Sequence, residues 1–256
     1  MAELEIHQFL CLSDNYGFLV HDADSGVTGC IDTPEVAPIL AALDETGWSL
    51  THILNTHWHP DHAGGNLEIQ GKTGCQIIGP RDEQERIPGI QTAVGDGDVI
   101  DFGGHTVKVF DVPGHTSGHV AYWFPDDGVS FVGDTVFALG CGRIFEGTPE
   151  LMWSSIQKLM ALPPETLLYC AHEYTEANAR FAVTVDPDNG ELLARVKEIE
   201  ATRAAGKWTV PSTLELELRT NPFLRPDAPG LQKAIGMEGA DPVAVFAETR
   251  ARKDSF

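Results

Sequence analysis

Asn55-Thr56-His57-Trp58-His59-Pro60-Asp61-His62-Ala63-Gly64-Gly65 follows directly on the apolar run His52-Ile53-Leu54 and sets four potential metal ligands within six residues. An H-x-H-x-D-H cluster at the end of a buried strand is a poor match for a solvated polar loop. Imidazole nitrogens and carboxylate oxygens without thiolate suit Zn2+, Fe or Mn rather than Cu(I) or an iron–sulfur cluster. Four residues this close in sequence cannot all point at one ion, so further ligands must come from elsewhere. Candidates stand at other strand ends: His115 in Pro113-Gly114-His115-Thr116-Ser117-Gly118-His119, Asp134 in Phe131-Val132-Gly133-Asp134-Thr135, and His172 in Tyr169-Cys170-Ala171-His172-Glu173.

Working outward, short or alternating apolar runs predict strands over residues 4–10, 16–21, 27–32, 52–56, 76–78, 106–112, 119–124, 129–133 and 167–170. Helical patterns fall between them, over 34–45, closed by Gly47, and over 149–162, with Thr148 as N-cap. Strands alternating with helices make residues 1–172 an α/β region with a mixed sheet. After His172 the texture turns helical, over 175–183, 191–205, 230–235 and 242–252, broken by a Pro-rich stretch at 211–229. Two domains are therefore expected, 1–172 and a smaller helical 173–256.

The 256 residues carry 17 Lys plus Arg against 38 Asp plus Glu, a formal charge of −21. A surface that negative repels nucleic-acid backbones and anionic lipid, which argues against nucleic-acid and membrane partners. The charge is uneven: residues 1–172 hold 24 acidic and 6 basic residues, and 173–256 hold 14 and 11. Five cysteines with no C-x-x-C spacing suggest reduced thiols rather than a disulfide framework or a zinc knuckle. Met1-Ala2-Glu3-Leu4-Glu5 places acids where a leader needs bases, and a cytoplasmic, monomeric protein is expected. His7, His21, His52 and His105 have no motif context and read as ordinary surface or core residues. His119 reads as a supporting residue rather than a ligand, and Cys141 and Cys170 as packing.

In this order, H-x-H-x-D-H, then G-H-T-x-G-H, then G-D, then a late strand-end His, the motifs resemble the metallo-β-lactamase superfamily. The resemblance implies an αββα sandwich with two divalent metal ions at one edge. His57, His59 and His115 would bind the first ion and Asp61, His62 and His172 the second, with Asp134 bridging. Zn is the expected metal, Fe and Mn being compatible with the same donors. Two metals sharing a water would lower its pKa to about 7 and so provide a hydroxide nucleophile without a side-chain base. Asp61, which could orient that hydroxide, and Asp134 are the candidate catalytic carboxylates.

Within that superfamily, Gly140-Cys141-Gly142-Arg143-Ile144-Phe145-Glu146-Gly147-Thr148, His172-Glu173-Tyr174-Thr175, Asn221-Pro222-Phe223-Leu224-Arg225 and Arg250-Ala251-Arg252-Lys253-Asp254 resemble the glyoxalase II, or hydroxyacylglutathione hydrolase, family. The resemblance implies hydrolysis of S-(2-hydroxyacyl)glutathione, chiefly S-D-lactoylglutathione, to glutathione and D-lactate. It implies that the C-terminal helical domain supplies part of the glutathione site, with Arg143, Tyr174, Arg250 and Lys253 as contacts and Asn178 as a weaker candidate. Arg250 and Lys253, spaced i, i+3, would share a helix face and clamp a carboxylate. Arg143 stands where many members have Lys, and Phe145 where some have Tyr. Two other readings are a glutathione persulfide dioxygenase of the same superfamily, whose relatives lack the long C-terminal helical domain, and a non-catalytic glutathione-binding module.

Overall fold

Residues 3–256 are described by the computed structural model; Met1 and Ala2, part of the N-terminal stretch read above for a leader, lie outside them. The chain divides into two compact units, one of residues 1–111 with 116–133 and one of residues 112–115 with 134–256.

In the first unit, β1 (Glu5–Cys11), β2 (Asn15–Asp22) and β3 (Val27–Ile31) form an antiparallel meander, joined in parallel by β4 (His52–Leu54), β5 (Gln76–Pro80) and β6 (Thr92–Val94). Parallel neighbours need crossovers. These are α1 (Val36–Thr46) between β3 and β4, and the short α2 (Pro60–Ala63) with α3 (Asn66–Thr73) between β4 and β5. Gly47, at φ 72°, closes α1 by donating its N–H to the Leu43 carbonyl, a left-handed cap that favours glycine. The i, i+3, i+4 face of α1, Ile39, Ala42 and Leu43, packs with Cys11, Leu19, Cys30, Ile53 and Ile77 of the sheet.

A second antiparallel set, β7 (Val99–Phe102), β8 (His105–Asp111), β9 (Val120–Phe124) and β10 (Val129–Gly133), continues this unit. It meets the first sheet through aromatic rings, Phe18 on Phe131 at 5.5 Å and His52 on Phe102 at 6.0 Å. The layers in this unit are thus helix, sheet, sheet. His105, read from sequence as ordinary, is buried with Asp127 at 2.8 Å on Nδ1 and Asp22 at 3.3 Å on Nε2, clasping the end of β2 and the β9–β10 turn to the start of β8.

The second unit contains the hairpin β11 (Val136–Phe137) and β12 (Gly140–Cys141), α4 (Pro149–Met160), and β13 (Leu167–Cys170), which pairs antiparallel with β14 (Ser212–Thr213). Its other helices are α5 (Thr175–Val185), α6 (Gly190–Ala204), α7 (Leu214–Thr220), α8 (Pro229–Ile235) and α9 (Pro242–Asp254). Thr148 caps α4 as expected, accepting the Leu151 N–H, with Pro149 in the first turn. The Pro-rich stretch at 211–229 is more ordered than its composition suggests. It holds α7, capped by Thr213, and a 3-10 turn over Pro222–Leu224, because its prolines sit at element starts rather than inside helices. Among the described residues no helix is long and apolar enough to cross a membrane.

Candidate metal centre

β4 is short and fully inside the first sheet, so the chain leaves it with polar residues that must be satisfied by side chains. Asn55 is buried, donates to the His62 carbonyl and accepts from Asn66, while its own carbonyl accepts the Tyr122 hydroxyl at 2.7 Å. That brace folds the loop back, and Pro60 starts α2 at its first position with His59 as the residue before it. His57 and His62 end with ring centroids 3.9 Å apart, and His57 Nε2 lies 2.9 Å from His59 Nδ1. His119 stacks on His57 with ring centroids 4.6 Å apart and is fully buried.

Asp32, at the end of β3, was not singled out by sequence reading. Its carboxylate accepts from His62 Nδ1 at 2.8 Å and from both the backbone N–H and hydroxyl of Thr56 at 2.7 Å. A carboxylate only accepts, so His62 Nδ1 carries the proton and Nε2 is left as the basic nitrogen. Asn15 donates to Asp61 Oδ2 at 3.2 Å. Glu83, also unpredicted, accepts the N–H of Trp58 at 2.7 Å and of Gly118 at 2.9 Å, tying the two histidine-bearing loops together. Burial pushes its carboxyl above the usual range despite those bonds. The sequence signal for Asp32 was an acid at a strand end beside an apolar run; Glu83 had none.

The remaining donors flank the hairpin. Gly133 ends β10 at φ 49°, where a Cβ would lie 2.6 Å from His119 Nε2, so only glycine fits immediately before Asp134. The Asp134 carboxylate divides its oxygens, Oδ2 at 3.3 Å from His115 Nε2 and Oδ1 at 3.5 Å from His172 Nε2. His115 Nδ1 donates to the Arg143 carbonyl at 2.9 Å, which again leaves Nε2 as the basic nitrogen. Three donor sets result, each with its ligand atoms within 4.8 Å of one another: His57, His59 and His115; His57, His62 and Asp134; Asp61, His62 and His172. All seven residues singled out in the sequence take part. Nitrogen and carboxylate donors of this kind fit divalent metal ions.

Of the substrate candidates, Tyr174 is part-exposed and lies flat on His172, centroids 4.7 Å apart and planes within 4°. Exposed Phe145 meets His115 edge-on at 5.3 Å. Arg143 is exposed. Arg250 is buried: Phe223 lies 5.1 Å from its guanidinium carbon and the Cys141 carbonyl accepts from Nη1 at 2.8 Å. Lys253 Nζ donates to the Ala177 carbonyl at 3.1 Å. Burial, then the nearby arginines Arg250, Arg180 and Arg143, bring its amine down to about 8. Asn178 is buried and donates to the Ala138 carbonyl, so its amide braces the hairpin turn. Burial pushes the Cys141 thiol up to about 11 and Cys170 up to about 12, unsuited to nucleophilic work.

Residues 24–172 match the model of the metallo-beta-lactamase superfamily, and residues 173–256 match that of the hydroxyacylglutathione hydrolase C-terminus. The chain is 59% identical over 256 residues to the hydroxyacylglutathione hydrolase of Maricaulis maris, covering 100% of both chains. It is 57% identical over 253 residues to that of Hyphomonas neptunium, covering 99% of this chain and 98% of that one. Among solved structures, ETHE1 from Myxococcus xanthus aligns with a TM-score of 0.70 at 22% identity, over 96% of this chain and 90% of the other, a likeness of fold alone.

Proposed function

We propose that this chain, which belongs to the hydroxyacylglutathione hydrolase family of the metallo-beta-lactamase superfamily, hydrolyses S-(2-hydroxyacyl)glutathione thioesters, chiefly S-D-lactoylglutathione, to glutathione and D-lactate. The observation that carries the reading is the chain of three donor sets, the first two joined by His57 and the last two by His62, with Asp134 in the middle one. His57, His59 and His115 are assigned to one divalent ion and Asp61, His62 and His172 to the other, with Asp134 common to both. Zn is the metal assigned, Fe and Mn being compatible with the same His and Asp donors. When bound, two such ions supply Lewis acidity and a water acidic enough to deprotonate near neutral pH.

The chain's own residues do the rest. Asp32 and the Arg143 carbonyl hold His62 and His115 in the tautomer that leaves Nε2 basic, and Asn15 steadies Asp61. Exposed Tyr174, lying flat on His172, is assigned to the glutathione backbone, and exposed Phe145, edge-on to His115, presents an apolar surface beside the donor residues. Arg143, Arg250 and Lys253 are assigned to the glutathione carboxylate. The two family models meet at residues 172 and 173, which supports taking 1–172 as the metal-binding catalytic domain and 173–256 as the substrate-binding domain. The match to the C-terminal model also favours the hydrolase over the persulfide dioxygenase. Five free, buried cysteines support a reducing, cytoplasmic setting, and the reading treats the enzyme as a monomer.

Purified protein assayed with S-D-lactoylglutathione, with metal analysis of the same sample, tests the reading. Release of glutathione and D-lactate that disappears with the metals is expected. Full turnover in a metal-free sample, or oxygen consumption with a single iron, would overturn it.

A further inference from the structure

The cations assigned to the substrate carboxylate are already engaged by acceptors of this chain. Arg250, 5% exposed, gives Nη1 to the Cys141 carbonyl and meets Asp254 Oδ1 with Nη2 at 3.0 Å. Its buried Nε has no hydrogen-bond partner among the described residues. The same Asp254 Oδ1 lies 3.9 Å from Arg143 Nε. One carboxylate oxygen therefore faces two guanidinium groups.

We propose that the Asp254 carboxylate is an internal stand-in for the substrate's anionic end: it occupies the Arg143–Arg250 cluster in the unliganded chain, gives way to the incoming carboxylate, and so sets how strongly the site selects a charged end over a neutral one. The inference rests on the assignment of Arg143 and Arg250 to glutathione.

Helix stability does not account for this residue. Asp254 is the last residue of α9, where the helix end carries partial negative charge and an acid is unfavourable. Arg four residues ahead of the acid is also the weaker order of an i, i+4 pair. Glu248 and Arg252 on the same helix have the favourable order, at 2.8 Å with both side chains 41% exposed, and make an ordinary surface pair. The Arg250–Asp254 pair is asymmetric instead. The guanidinium is held by Cys141 and Phe223, whereas the Asp254 side chain is 47% exposed and short enough to turn into solvent. Exchange thus moves an exposed carboxylate while the buried cation stays in place. A buried guanidinium facing no anion is costly, which explains why the chain provides one when substrate is absent.

The test compares Asp254→Asn, with Asp254→Ser as a second variant, against Glu248→Gln, which removes the same charge from the same helix. Each is assayed with S-D-lactoylglutathione and with its analogue whose glycine carboxylate is a carboxamide. Loss of an internal competitor predicts that KM for the carboxylate substrate falls about three- to fivefold in both Asp254 variants, the size of a partly exposed ion pair. KM for the carboxamide should not change, and Glu248→Gln should alter neither. Without substrate, thermal melting of both Asp254 variants should fall modestly, since the buried Arg250 guanidinium loses its internal anion. Equal shifts for both substrates would reduce the effect to net charge, and an unchanged or higher KM for the carboxylate substrate would make Asp254 a positioning residue for Arg250; either overturns the proposal. A wild-type enzyme that leaves S-D-lactoylglutathione intact overturns the functional reading itself, an outcome distinct from an active wild type with flat Asp254 variants.

Discussion

Asp32 shows how much of this site depends on a residue with no local signature. It sits at φ 58°, a left-handed conformation that Asp and Asn tolerate, and from there its carboxylate reaches Thr56 and His62. Asp32→Asn keeps the size and the backbone tolerance but turns one acceptor into a donor. Metal affinity, measured by chelator competition, should fall roughly 10–100-fold, with the fold retained. The seven donors were legible because His and Asp are dense at strand ends. Asp32 and Glu83 were not, since a lone acid acquires meaning only when the fold carries residue 32 to residue 62 and residue 83 to residues 58 and 118. Lys253 offers a second test at this scale. Its amine titrates near 8, lowered chiefly by burial, so the charge that would hold a carboxylate is present below that pH and lost above it. KM should rise from pH 7 to 9.5 with little change in kcat, and Lys253→Arg, charged throughout, should flatten that rise. An equal rise in the Arg variant would assign it to another group.

Among the elements, β1 to β5, β8 to β10, β13 and the long helices were readable from periodicity, with boundaries displaced by a few residues, whereas β6, β7 and α3 were not. The helix expected over 34–45 is Val36–Thr46, and that over 191–205 is Gly190–Ala204. Periodicity also missed short pieces fixed by long-range polar contacts. α7 is seven residues long in a Pro-rich stretch, and its Glu217 accepts from Arg195 of α6, Ser212, Asn221 and the Leu139 N–H. Asn221 in turn donates to the Phe137 and Gly140 carbonyls, so α7 and the residue after it hold the β11–β12 hairpin by its backbone. That hairpin begins two residues after Asp134 and ends two before Arg143. Leu139 within it lies at φ 58°, an uncommon conformation that the Glu217 bond helps to hold. Glu217 is fully buried and Arg195 nearly so. Glu217→Ala leaves a guanidinium uncompensated and should cost about 3–5 kcal/mol in urea unfolding. Replacing the pair together, Arg195→Met with Glu217→Leu, should recover part of the loss; no recovery would mean that the bonds to Ser212, Asn221 and Leu139 dominate.

At the scale of the whole molecule, the charge of −21 sets a problem for an enzyme of an anionic substrate. Most of the excess belongs to residues 1–172, with 24 acidic against 6 basic residues, whereas the assigned carboxylate contacts draw on Arg143, Arg250 and Lys253. Repulsion from many distant carboxylates and attraction to a few near cations differ in range, and salt separates them. The Debye length falls from about 30 Å at 0.01 M to about 8 Å at 0.15 M, which removes the long-range repulsion first and leaves contacts within 4 Å largely intact. Association of the glutathione thioester should therefore quicken as salt rises through this interval, and kcat/KM should increase about two- to fivefold before falling at higher salt as the clamp itself is screened. Were the local cations the dominant field at encounter, kcat/KM would fall from the lowest salt onward. A steady-state series in NaCl at fixed pH and metal content distinguishes the two. The carboxamide analogue, with one negative charge fewer, should show a smaller rise.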